Sequence, residues 1–240
     1  MLSSAPVIVD AAFASAVREL ADARMGTEHV GPLLYSLIRA VRPRRVVEIG
    51  MGYTTCFILR ALADNVADFE AERRDLSLLP FPHPDHYRED HVPRLVAIDN
   101  LEHPASLAER AIAVATDLDL DRYLRVWRRD LHGSSEAFAA EDLPIDLLWL
   151  DAGRYRTFTA VAREYWPLLA ADGGLWMIHS TLTNLEGQAF LRELKLRQAT
   201  VAFNDYELVS LLEPHKLAQN SVTLVRKISG ELERIYTPMP

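Results

Sequence analysis

The chain has 240 residues, 49% hydrophobic and 25% charged, which is the composition of a folded globular protein and excludes an intrinsically disordered one. Its 34 acidic and 26 basic side chains leave a formal charge of −8, which argues against a broad nucleic-acid-binding surface. The single cysteine, Cys56, rules out an intrachain disulfide, no run reaches the roughly 18 apolar residues of a membrane span, and the first residues lack a secretion pattern, so one soluble cytoplasmic domain over 1–240 is expected.

Residues 1–43 read as a helical cover with segments at Ala11 to Ala23 and Glu28 to Val41, the second carrying Leu33, Leu34, Leu37, Ile38 and Val41 at helical spacing. A strand follows at Arg45 to Ile49, then a glycine turn and a helix over Thr54 to Ala63. The stretch from Asp64 to Pro93 is longer than an ordinary connection, and it reads equally as a surface excursion or as a lid-like insertion over a substrate. Its His83, Asp85, His86, Glu89 and His91 match no known ligand spacing, so no metal is assigned there.

Strands at Leu95 to Ile98, Leu124 to Trp127, Asp146 to Leu150 and Leu175 to Ile178 then alternate with helices. These are predicted at Ala105 to Ala115, Ser135 to Ala140, Phe158 to Leu169 and Leu185 to Leu196. Such alternation predicts a parallel sheet covered on both faces. The last two strand-like runs, Leu208 to Leu212 and Ser221 to Lys227, are joined by EPHKLAQN, too short for a crossover helix, and are expected to pair antiparallel. The predicted class is therefore α/β and Rossmann-like, a mostly parallel seven-stranded sheet with a terminal antiparallel hairpin.

The segment RRVVEIGMGYTT ends an apolar strand in an acid and opens at once into a glycine turn before a helix. Glycines let the backbone approach a ligand closely, and the helix N-terminus presents free N–H groups, so a nucleotide-like ligand is expected there. As a dinucleotide fingerprint the segment is incomplete, with Thr55 in the position of the third glycine. Acids also close LVAIDN, VWRRDL and IDLLWLD, so an acid or a glycine turn ends four successive predicted strands.

EIGMGYTT resembles the first motif of the class I methyltransferases that use S-adenosylmethionine (SAM), with Thr54 where a third glycine often falls. The resemblance implies that Glu48, Gly50 and Gly52, with Tyr53 and Thr54 beside them, line the methionine and ribose side of SAM. It further implies that Asp99, next to Asn100, accepts from the ribose hydroxyls, and that Asp130, next to Leu131, faces the adenine amino group. IDLLWLDAGRYRTF and ADGGLWMIHST are similar to the fourth and fifth strands of the catechol and caffeoyl-CoA O-methyltransferases, with Asp151 and Tyr155 at matching positions. The likeness spans about residues 28 to 185.

One departure matters. Magnesium-dependent members carry an Asp-Asn pair after the fifth strand, whereas this chain has His179 and Ser180. Magnesium prefers hard oxygen ligands, so the metal site is not carried over and a divalent cofactor is not expected. His179 becomes the candidate general base, with Asp151 as its catalytic companion and also at the cofactor, and with Tyr155 and His179 on the acceptor side. The implied activity is methyl transfer from SAM to an oxygen or nitrogen of a small molecule, without nucleic-acid or membrane partners and with a homodimer left open. A SAM-binding protein without turnover and a polyamine-synthase-like group transferase are the competing functions. Structural readings also stand beside each site residue: a tight turn for the glycines, helix caps for Asp99 and Asp130, a loop anchor for Asp151 and a hydrogen-bonded structural histidine for His179.

Overall fold

The computed structural model describes residues 10–22, 24–79, 82–103, 106–152, 157–183, 185–200 and 206–228. Two N-terminal helices, α1 (Ala11–Val17) and α2 (Val30–Val41), precede β1 (Arg45–Ile49), α3 (Tyr53–Arg74), β2 (Arg94–Ile98), α4 (Ala108–Asp117), β3 (Leu124–Trp127) and β4 (Leu147–Leu150). After them come α5 (Thr157–Tyr165), β5 (Leu175–His179), α6 (Leu185–Thr200), β6 (Tyr206–Leu212) and β7 (Ser221–Lys227). The seven strands lie in the order β3-β2-β1-β4-β5-β7-β6. Strands β1 to β5 are parallel, while β7 runs antiparallel to both β5 and β6, as expected from the short connection EPHKLAQN.

Successive residues of each strand face opposite sides of the sheet, and this divides the core in two. Val46, Trp149 and Met177 join Phe13, Leu34, Ile38, Ile58 and Leu62 on the face covered by α1 to α4. Val47, Leu148 and Trp176 join Val161, Tyr165 and Phe190 on the face covered by α5 and α6. Each fully buried Leu or Ile of these layers contributes about 2 kcal/mol by leaving water. None of the described helices is long and apolar enough to cross a membrane.

The largest correction concerns α3, which runs to Arg74 instead of stopping at Ala63, so the first part of the expected insertion is helix. Asp64, Asp68 and Glu72, which fall in the stretch expected to be an insertion, are buried and recur every fourth residue along the face turned to α2. Asp64 accepts from Tyr35 (2.8 Å) and Arg60 (3.0 Å), Asp68 from Arg39, and Glu72 from both Nη nitrogens of Arg42 and from Tyr87 (3.0 Å). The Arg42 guanidinium beside Glu72 holds that carboxyl below its usual range, so a buried charge is paired and the helix continues.

The same contacts locate the rest of the stretch. Arg42 and Arg44 lead into the N-terminal end of β1; Tyr87 bonds Glu72, the partner of Arg42, and Glu89 lies 3.4 Å from Arg44. Residues 82–93 therefore pack below the sheet at the start of β1 and β2, at the edge opposite the strand ends that carry Asp99 and Asp151, and this position argues against a cover over those ends. Smaller shifts are local. The segment expected as a helix at Ser135 to Ala140 forms two 3-10 turns, Ser134–Ala137 and Ala140–Asp142, because Phe138 between them is drawn against Trp127 at 4.6 Å. The first helix likewise ends at Val17 and closes in a 3-10 turn, Arg18–Leu20.

Candidate active site

The C-terminal ends of the parallel strands are joined by the ladder beyond the strands themselves. Gly50 N–H donates to the Ile98 carbonyl, Asp151 N–H to Ile49 and Asp99 N–H to Trp127, at 2.9, 2.9 and 3.1 Å. Gly50, Asp99 and Asp151 thus stand in one row at the ligand-binding edge of an α/β sheet. Gly50 has φ +93°, and a Cβ there would lie 2.5 Å from the Asp151 carbonyl oxygen, so only glycine fits where the β1 turn meets the end of β4.

Gly52 differs. A Cβ added to it would meet, among the described residues, only the Leu107 Cβ at 3.9 Å, so the turn opens onto free space directly before the N-terminus of α3. Across that opening Asp99 accepts the Met51 N–H at 3.0 Å with one oxygen and the Leu101 N–H at 2.7 Å with the other. Each carboxylate oxygen keeps a second lone pair for a further donor. Asn100 is exposed and accepts from the Glu102 N–H at 3.1 Å. Asp130 is exposed and caps its own turn through the His132 N–H at 2.9 Å, while Leu131 packs on the second core layer.

Two residues expected beside the ligand lie beneath the turn instead. Glu48 is fully buried and accepts from the Thr54 and Thr55 hydroxyls at 2.8 and 2.6 Å, and Thr54 also receives the Trp149 indole N–H at 3.2 Å. Burial, added to by the Asp151 and Asp99 charges, pushes the Glu48 carboxyl up to about 8 despite both hydroxyls. The side chains of Glu48 and Thr54 therefore brace the glycine turn from inside. Tyr53 is half-buried, its ring 4.8 Å from Phe57 and close against Gly31 of α2.

Register brings the catalytic candidates together. Leu150 pairs with Ile178, so the next residue of each parallel strand, Asp151 and His179, come side by side with Nδ1 and Oδ1 2.7 Å apart. His179 is 4% exposed, and its Nε2 has no hydrogen-bond partner among the described residues. Burial works against the charged ring, yet the Asp151 carboxylate outweighs it and lifts His179 above its usual value; the Gln219 backbone adds to the lift and Lys216 opposes it. Tyr155 lies outside the described residues.

The β6–β7 loop completes this edge, because the Ser180 N–H donates to Ser221 (2.7 Å) and the Ser180 hydroxyl donates to the Gln219 side chain. Gln219 also abuts Gly26, and Lys216 donates to the Gly26 carbonyl at 3.2 Å, so the loop is tied to the segment before α2. Sequence reasoning missed Gln219 and Lys216, since no local motif signals a contact made across most of the chain. A separate cavity of about 220 Å³, lined by Trp166, Trp176, Phe190 and Tyr206, lies on the α5–α6 face away from the glycine turn.

A family described as "Methyltransferase domain" matches residues 47–181, from β1 to just past β5. Among solved structures, the O-methyltransferase from Bacillus cereus in complex with SAH aligns with a TM-score of 0.61 and 13% identity over 92% of this chain and 94% of the other. The O-methyltransferase TomG from Streptomyces achromogenes, in complex with SAM, aligns at 0.59 and 19% over 92% and 91%, and a methyltransferase from Geobacter sulfurreducens at 0.56 and 20% over 95% and 90%. At these identities the likeness speaks for the fold. No curated protein matches the sequence.

Proposed function

The chain belongs to the methyltransferase-domain family, and from that premise we propose that it transfers the methyl group of SAM to an oxygen or nitrogen of a small molecule, with His179 as general base. The observation that carries this reading is the Asp151–His179 pair, 2.7 Å apart at the strand ends, with Nε2 buried and without a close hydrogen bond among the described residues. The open space at Gly52 and the spare lone pairs of Asp99 fit a nucleoside with a vicinal diol, as SAM presents. When bound, SAM supplies a methyl carbon on a positively charged sulfur.

The protein supplies position and a proton acceptor. Asp99 orients the ribose, and the α3 N-terminus behind Gly52 presents its free N–H groups. If Nδ1–H donates to Asp151, the tautomer leaves the Nε2 lone pair free to take the proton of an acceptor O–H or N–H as the new bond to carbon forms. Asp151 then stabilises the imidazolium it creates. A net charge of −8 favours a small acceptor over a polyanion such as RNA.

Calorimetric titration of the chain with SAM tests the premise of this site. Asp99→Ala is expected to weaken binding by about 1–3 kcal/mol, the cost of losing a charge-assisted hydrogen bond. Labelled SAM offered with a panel of small hydroxyl and amine acceptors then tests transfer. Equal affinity in wild type and Asp99→Ala would remove the ribose assignment, and tight binding without product on any acceptor would favour the non-transferring alternative.

A further inference from the structure

Sequence reading assigned no metal anywhere, but folding brings together two imidazoles and a carboxylate that stand far apart in the chain. His29 directly precedes α2, whereas Glu213 and His215 begin the β6–β7 loop. Their ligand atoms all lie within 4.8 Å of one another, and the Nε2 atoms of His29 and His215 each approach Glu213 Oε2 to 3.8 Å. The two rings stand edge to face, 5.5 Å apart at 81°. Glu213 Oε2 is buried and lies 2.8 Å from Lys216 Nζ, which is also 2.8 Å from Glu28, so Lys216 pairs with this carboxylate and an ion would share it.

We propose that His29, Glu213 and His215 form a three-ligand site for a borderline divalent transition ion of the zinc class, which clamps the β6–β7 loop to the start of α2. Bonds of about 2.0–2.1 Å in tetrahedral geometry place ligand atoms about 3.3 Å apart, so each 3.8 Å separation closes by about half an ångström and the two imidazoles, within 4.8 Å of each other, by at most about 1.5 Å. Two imidazoles with one carboxylate suit zinc or cobalt far better than magnesium. Lys216 balances only one of the two carboxylates it bridges, so the neighbourhood keeps a negative charge for a dication. The fourth position stays open to water.

The site would matter to the active site through the loop it pins. Gln219, in the same loop, packs against Gly26 and holds Ser180, the residue after His179. A bound ion would therefore fix the wall beside His179 without touching the base. The site stands on residues outside the methyl-transfer proposal and survives or fails separately from it.

The test uses the full, untagged chain stripped with chelator and titrated with zinc in a calorimeter, without SAM. One ion per chain is expected, not displaced by excess magnesium, with a thermal midpoint that rises on zinc addition. His29→Ala and His215→Ala should each weaken binding at least tenfold and abolish the rise. Both histidine side chains are more than half exposed, so the variants should fold, which circular dichroism checks. His86→Ala should bind as wild type, and cobalt should give the intense visible absorption of a four-coordinate site, lost in His29→Ala. Absence of saturable binding overturns the proposal, as does zinc affinity that is unchanged in both His29→Ala and His215→Ala.

Discussion

His179 Nδ1 and Asp151 Oδ1 meet at 2.7 Å because the register of β4 on β5 sets the two residues after Leu150 and Ile178 next to each other. The carboxylate lifts the imidazole above its usual value, so the base form of His179 is reached only at higher pH. The rate of transfer should rise with pH through that raised value. Asp151→Asn should move the acid limb of the pH–rate profile to lower pH, and His179→Ala should lower the chemical step by about 10² to 10⁴ with SAM affinity nearly unchanged. Full activity in His179→Ala would make the histidine a structural staple between β5 and the β6–β7 loop.

The two glycines of the turn should fail in different ways. Gly50→Ala forces a Cβ within 2.5 Å of the Asp151 carbonyl at φ +93°, and is expected to cost at least about 2 kcal/mol of stability in denaturant unfolding. Gly52→Ala has room in the free protein and should stay within about 0.5 kcal/mol of wild type. It should nevertheless weaken SAM binding by about tenfold or more, because the added methyl group enters the space assigned to the ligand. A stable Gly52→Ala protein with unaltered SAM affinity would place the ligand elsewhere.

Glu48 makes a prediction about pH and stability. Its folded value of about 8 lies above the ordinary carboxyl value of 4.5, so the stability it contributes is full below 4.5 and is lost as pH rises through 8. Glu48→Gln keeps a neutral group that can still bond Thr54 and Thr55, and should remove that loss. Chemical unfolding of both proteins at pH 5 and pH 8 checks it. Glu48→Gln should gain on wild type at the higher pH, and an equal difference at both would show that Glu48 titrates normally.

His91 carries the opposite slope. It is 4% exposed, both ring nitrogens lack a partner among the described residues, and burial together with Arg44 pulls it down to about 4. A depressed folded value means that stability is present above 6.5 and is lost as pH falls toward 4. Between pH 7 and pH 5 the loss from this group is about 2 kcal/mol. His91→Phe should abolish it, and because Glu48 compensates over part of the same range, the difference between variant and wild type, measured at both pH values, is the quantity to read.

The sequence by itself determined the sheet, the strand ends and the glycine turn, because these are written in local patterns. Buried parallel strands read as short apolar runs, and a turn that must touch the neighbouring strand requires glycine at Gly50. Asp99, Asp151 and His179 were legible for the same reason, as each closes such a run or follows it directly. Tertiary structure alone decided which polar residues are buried and what they meet. Asp64, Asp68 and Glu72 are buried because Arg60, Arg39 and Arg42 neutralise them, which lengthens α3 and sends residues 82–93 to the far edge of the sheet. Glu48 shares a motif with the glycines of the turn, yet strand alternation turns it inward onto two threonines. The meeting of His29 with Glu213 and His215 depends on an antiparallel β7 returning the loop to the ligand edge, and no local pattern encodes a distance between residues so far apart in the chain.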